Sequence, residues 1–240
     1  MAFQHGKSIN VLSGGYDITG FLNKIDTPMT ADVTETSVFG LDDKTFIPGL
    51  LNATMTGDGF YSSAPSPGLM DQIDDIMSAC FGGSQILSWY PAGYTRTNSG
   101  YGMLLTSTAY NTMATIDNAV KIAIGGQSSA ARENLVSLHT LKAETVDGSE
   151  TYYDLGVGGG TKGGSAYLHV TAKSGTIDTL KIEHSTDHIT YTDLVAFTAP
   201  TAIGAQRVTF SGTVNRYVRV TWTGETSYSV TFQVGIYKKV

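Results

Sequence analysis

The chain has 240 residues, 15 Lys and Arg against 21 Asp and Glu, and a formal net charge of -6. Charged residues make up 15 % and hydrophobic residues 41 %, a balance that excludes charge-driven disorder and disfavours a phosphate-binding surface, which needs clustered Lys and Arg. Few Lys and Glu, with abundant Thr, Gly, Val and Tyr, leave little to fill exposed helices and much that suits pleated strands and turns, so the expected class is mainly β.

In chain order, Met1 to Asn10 carries His5 and Lys7 but no apolar run of signal-peptide length. No stretch approaches the roughly 20 apolar residues of a membrane span. A soluble chain without an export signal is expected. Residues 29–48 hold few periodic apolar residues, the acids Asp32, Glu35 and Asp42, and a Gly40-Leu41-Asp42-Asp43 turn; they read as a long loop, and long ordered loops usually have a function. Leu51, Ala53 and Met55 alternate before Gly57-Asp58-Gly59, as in a half-buried strand.

A helix is expected over residues 67–81, because Leu69, Ile73, Ile76, Met77 and Cys80 recur at helical spacing. Ser66 is placed to cap it, Pro67 suits its first turn and Gly82 stops it. Asp71, Asp74 and Asp75 fall on its polar side near the positive end of the macrodipole, which explains them without catalysis. Trp89, Tyr90 and Tyr94 flank Pro91 and read either as a sugar-stacking platform or as rim packing. Ile116, Asn118, Val120, Ile122 and Ile124 then alternate as a strand that Gly125-Gly126 breaks.

Residues 148–164 are too glycine-rich for a cheap regular element and mark a boundary between residues 1–147 and 165–240. Beyond it, six short alternating runs follow: Ala166–Ala172, Leu180 with Ile182, Val195 with Phe197, Val208 with Phe210, Val218–Trp222, and Val230–Ile236. Such regular spacing is the pattern of an antiparallel sandwich.

Catalytic and metal signatures are weak. Thr161-Lys162-Gly163 has the wrong order for a phosphate loop and precedes a strand, not a helix. His184-Ser185-Thr186-Asp187-His188 could share a metal if the turn folded back, but His184 shares the face of Leu180 and Ile182 and reads better as a packed histidine. Cys80, the single cysteine, lies on the helix's apolar stripe, so it forms no internal disulfide and requires no oxidising compartment. No Gly-x-Ser-x-Gly elbow occurs, and nothing selects a carboxylate pair. No catalytic, cofactor or metal residue is therefore assigned, and no enzyme is expected.

Thr34-Glu35-Thr36-Ser37-Val38-Phe39-Gly40 followed by Lys44-Thr45-Phe46-Ile47-Pro48-Gly49-Leu50 resembles a hallmark of the major tail (tail tube) proteins of long-tailed bacteriophages. In that family these stretches precede a strand like Asn52 to Phe60 and a short helix like Leu69 to Phe81. The resemblance covers residues 5–145. The C-terminal runs are similar to β-sandwich modules appended to phage tail proteins. The fold thus implied is an N-terminal tail-tube-type β-sandwich or half-barrel with one short helix, plus a C-terminal antiparallel β-sandwich.

The resemblance implies hexameric rings stacked into a tube in the virion tail, assembled in the host cytoplasm. The partners it implies are sibling copies and the tape-measure, tail terminator and baseplate proteins, with DNA passing through without specific binding and no membrane. Closing a ring removes exposed sheet edges. The 29–48 segment is the expected inter-subunit contact, through Asp32, Glu35, Phe39, Asp42, Lys44, Phe46 and Pro48, since it cannot bury much area within one monomer. Acidic groups on the bore would repel phosphates, although a charge of -6 also aids solubility. The alternative class is a glycan-binding sandwich using Tyr152, Tyr153, Tyr191 or Trp222, of which alternation places Trp222 inward.

Overall fold

The computed structural model describes residues 6–39, 42–62, 72–156 and 160–239. The expected helix start, with Ser66, Pro67, Leu69 and Asp71, lies outside the described residues, as do Gly40, Leu41 and residues 157–159 of the glycine run. The class is mainly β, in antiparallel sheets without barrel closure. Among the described residues no helix is long and apolar enough to cross a membrane.

The chain forms two compact units that interleave along the sequence. The first comprises Met1–Gly20, Gln85–Gly102 and Glu133–Val240, the second Phe21–Ser84 and Met103–Arg132. A single linear cut at residues 148–164 is therefore not how the units divide, because strands from both sides of that segment pair within the first unit.

The first unit holds β1 (Asn10–Ser13), β2 (Tyr16–Asp17), and it shares β6 (Ser84–Tyr90) and β7 (Ser99–Met113) with the second; β3 to β5 and β8 belong to the second. Its remaining strands are β9 (Glu133–Glu144), β10 (Gly148–Ser149), β11 (Tyr153–Asp154), β12 (Gly164–Ser174), β13 (Ile177–Ser185), β14 (Thr192–Ala196), β15 (Gly204–Phe210), β16 (Tyr217–Gly224) and β17 (Ser229–Lys238). The large sheet runs β15-β12-β17-β9-β7-β6-β1-β2, and β17 pairs with β9 on one edge and β12 on the other. The small sheet centres on β16, which pairs β13 on one side and β10 and β11 on the other, with β14 outside β13. Residues 148–164 thus supply β10, β11 and two bridges, Gly160 to Val214 and Lys162 to Gly212.

The six C-terminal runs read from alternation are β12 to β17, and their apolar faces meet in one core. Leu168, Val170, Val230, Phe232 and Val234 of the large sheet join Leu180, Ile182, Val218, Val220 and Trp222 of the small one. Trp222 is inward, as its alternation requires. In β13 a register shift at Ile182/Glu183 breaks the alternation, so Glu183 and Ser185 are buried and His184 is only half-buried. His184 Nδ1 accepts from the Asn215 N–H at 3.2 Å, as a packed histidine should. Tyr90 and Tyr94 are core residues beside Leu12, Leu135 and Tyr167, which selects packing over a sugar platform. Gln233 Nε2 donates to the Tyr90 hydroxyl at 2.7 Å, so this buried phenol is satisfied.

The second unit is built on β5 (Phe46–Phe60), which pairs β3 (Leu22–Asp26) and β4 (Met29–Glu35) and also β8 (Lys121–Ser128); β8 in turn pairs the second part of β7. The strand expected from Ile116 starts at Lys121 instead. Ile116 is fully exposed in the turn before it, and Gly125-Gly126 lie inside β8 without ending it. A Cβ at Gly126 would stand 2.6 Å from Leu105 Cγ, so glycine is there for close packing. The helix α1 spans Ile73–Cys80 and buries Ile73, Ile76, Met77 and Cys80, as its spacing requires. Asp74, on its polar side, accepts from the hydroxyls of Tyr110 at 2.6 Å and Tyr61 at 3.3 Å.

Candidate functional site

Residues 29–48, expected as an irregular loop, form β4 and the start of β5 in an antiparallel hairpin. The physical reason is that a ribbon satisfies its backbone groups across its own ladder, so β-prone Val33, Thr30, Thr34, Phe46 and Ile47 pair even where little is buried. The pairs run from Met29 with Ala53 to Glu35 with Phe46, shifted once between Ala31 and Val33. Gly49 lies against this shift, where a Cβ would stand 3.0 Å from Asp32 Cβ. Toward the tip the Thr36 N–H donates to the Thr45 carbonyl at 2.8 Å and the Thr45 N–H to Ser37 Oγ at 3.1 Å. Lys44 Nζ and Glu35 Oε2 form an exposed ion pair at 3.2 Å.

All residues of β4 and the first seven of β5 are exposed. Among the described residues this part of the hairpin has no third strand, so both outer edges keep unpaired N–H and C=O groups. Its apolar side chains are also uncovered: Met29, Val33, Val38, Phe46, Ile47 and Leu51 are exposed, Leu50 is 81 % exposed and Phe39 is fully so. A two-stranded ribbon is marginal alone in water, and an exposed apolar surface of this kind marks an interaction site.

The structure places Asp32, Glu35, Phe39, Asp42, Lys44, Phe46 and Pro48 all on this arm and all exposed. Pro48 lacks an N–H and suits an edge, where it blunts pairing at its own position. Val33, Ile47, Leu50 and Leu51, which the sequence reading did not name as contacts, add to the exposed apolar surface of Phe39 and Phe46. The signal for Ile47, Leu50 and Leu51 was the run Phe46 to Leu51, whose apolar content reads as core.

A second apolar surface lies at the far end of β5 in the same unit. Phe60 and Met113 both pair in register with Lys121, and Val120 accepts from the Tyr61 N–H through its carbonyl at 3.0 Å. Phe60, Met113, Val120 and neighbouring Ile116 are exposed. Fifteen residues of strand, about 50 Å at 3.3 Å each, run from the start of the arm's β5 segment to this patch.

Of the aromatic residues named for glycan contact, Tyr153 packs on the sandwich core and Trp222 is buried. Tyr191 lies under the Arg219 guanidinium at 3.8 Å. Tyr152 is exposed, stacks on His188 with ring centres 5.0 Å apart and meets Tyr217 edge-on at 5.1 Å. Beside this trio the Arg216 guanidinium, helped by the Gly156 N–H, holds Asp154 down to a pKa of about 2. Asp187 is held down to about 2 by the N–H groups of Thr190 and Ile189 and the Ser185 hydroxyl. Both acids fix loops; neither is poised for proton transfer.

No protein-family model matches this chain, and no curated protein matches it. Among solved structures it is similar to a chain in the virion of a native gene transfer agent particle, with a TM-score of 0.43 and 12 % identity over 55 % of this chain and 98 % of that one. It is also similar to a chain in the tail of an empty gene transfer agent particle of C6 symmetry, with a TM-score of 0.42 and 13 % identity over 54 % and 97 %. The third is the SPP1 Dit protein, described as a paradigm of the hub adsorption apparatus in phages that infect Gram-positive bacteria, with a TM-score of 0.42 and 7 % identity over 97 % and 99 %.

Proposed function

We propose that this chain is a structural subunit of a long-tailed bacteriophage virion that self-assembles, ring upon ring, into the tail tube through which DNA passes. The tube itself is read from the sequence resemblance. The observation that carries self-assembly is the β4–β5 arm, whose apolar side chains and strand edges find no cover among the described residues of their own unit.

The partner on this reading is a second copy. The arm and the Phe60, Met113, Ile116 and Val120 patch sit at opposite ends of one strand, so joining them between copies is head-to-tail. Joined in that sense, such heterologous contacts propagate into rings or stacks. Burying a Phe, Ile or Leu side chain contributes about 1.5–3 kcal/mol, while association costs about 4–15 kcal/mol. One residue is not enough. Phe46, Ile47, Leu50 and Leu51 buried together supply about 6–12 kcal/mol, within the range of that cost, which favours contacts that form cooperatively. No catalysis is invoked, and the tape-measure, terminator and baseplate proteins would meet the ends of the tube.

Electron microscopy of the purified chain tests this reading: rings or tubes are expected, and a chain that stays single at high concentration overturns it. The glycan-binding alternative has the exposed Tyr152 in its favour, but His188 already covers one ring face. Retention of the single chain on a glycan array would support that alternative.

A further inference from the structure

His139, on β9, is fully buried, its ring stacked on Phe232 with centres 4.0 Å apart and edge-on to Trp222 at 5.2 Å. Its Nδ1 lies 3.1 Å from the Phe232 carbonyl oxygen. A carbonyl only accepts, so Nδ1 carries a hydrogen, and in the neutral ring the lone pair is at Nε2. That lone pair faces Glu144 Oε1 at 3.2 Å and Glu150 Oε1 at 3.7 Å. A lone pair and two carboxylates repel one another unless a positive charge stands among them.

The charge now nearest is the Lys142 ammonium, with Nζ 2.8 Å from Glu144 Oε1 and 3.4 Å from Glu150 Oε1. The Arg96 guanidinium lies further off, with Nε 3.8 Å from the other Glu150 oxygen. The ligand atoms of His139, Glu144 and Glu150 all lie within 4.8 Å of one another. Tetrahedral zinc with bonds of about 2.0–2.1 Å sets its ligands roughly 3.3–3.4 Å apart, close to the two separations from Nε2.

We propose that His139, Glu144 and Glu150 form a binding site for a divalent cation of the zinc class, from which the Lys142 ammonium is displaced. Lys142 is half-exposed on a flexible stem and can swing outward, leaving the fourth position to water. Glu144 ends β9 of the large sheet, whereas the Glu150 N–H donates to Val220 of the small sheet at 2.9 Å. A cation here pins the two sheets of the sandwich together at the β9–β10 turn. This site is independent of tube formation.

The test uses the full chain, stripped with a chelator and then titrated with Co²⁺ and Zn²⁺. One equivalent of Co²⁺ is expected to give visible d–d absorption, and Zn²⁺ to raise the thermal midpoint. Glu150→Gln, at a partly exposed position, should weaken binding about tenfold or more with the circular dichroism unchanged. Lys142→Met should tighten it by removing the competing ammonium. Absence of both signals in the native chain and in Lys142→Met overturns the proposal. So does binding that is unchanged in both Glu150→Gln and Glu144→Gln, since the metal then sits elsewhere.

Discussion

Leu50 is more exposed than almost any apolar residue of the fold, and among the described residues nothing in its own unit covers it. Leu50→Asp is therefore expected to leave the unfolding midpoint of the single chain within about 0.5 kcal/mol of native stability, while abolishing rings or tubes in micrographs. Loss of folding together with assembly would instead mean that Leu50 packs on its own chain. His169 behaves oppositely. It is fully buried, its Nε2 lies 2.9 Å from Ser88 Oγ, and burial drives its pKa from 6.5 to about 3. The unfolded chain then binds the extra proton, so this stability is complete above pH 6.5 and declines as pH falls toward 3. The slope approaches about 1.4 kcal/mol per pH unit for one proton. Denaturant unfolding from pH 7 to 4.5 should fall more steeply in the native chain than in His169→Gln; equal slopes would contradict the assignment.

Buried polar residues such as His169, Ser137, His139 and Gln233 also show why parts of the fold were hidden in the sequence. Ser137 and His139 interrupt the hydropathy of β9, whereas His169 in β12 and Gln233 in β17 fall between alternating apolar positions; Ser137 Oγ is held by donating to the Tyr94 carbonyl at 3.1 Å. The strand β9 was missed for this reason. The strands β12 to β17 were legible because apolar residues alternate cleanly there, except where the shift in β13 inverts the faces.

Among the elements, the β4–β5 arm departs most from its sequence reading. Few periodic apolar residues suggested a loop, but pairing across the ladder made a hairpin, since period-two burial is absent wherever neither face is covered. The seven residues expected as contacts all lie exposed in this segment. The apolar ones beyond them were not legible, because Ile47, Leu50 and Leu51 look like core in a lone sequence and become surface only when the structure leaves them uncovered. Replacing residues 30–51 with a short Gly-Ser turn should keep the unit folded, because the rest of β5 retains its pairing with β3 and β8. Circular dichroism should remain strand-rich while sedimentation shows only single chains. Assembly that survives this excision would move the contact to another surface.

For the whole molecule, interleaved units could not be read from a linear composition profile. The glycine-rich segment 148–164 marks a change in composition, but it is stitched into the small sheet through β10 and β11, and β17 pairs back to β9 across it. Long-range pairing of this kind leaves no local trace in sequence. The most direct measurement is amide hydrogen exchange of the full chain, compared between dilute single chains and the assembled particle. The account predicts that residues 29–51 and the turn at 114–120 exchange quickly when dilute and both gain protection on assembly. Equal exchange in the two states, or protection of the arm already in the single chain, would contradict it.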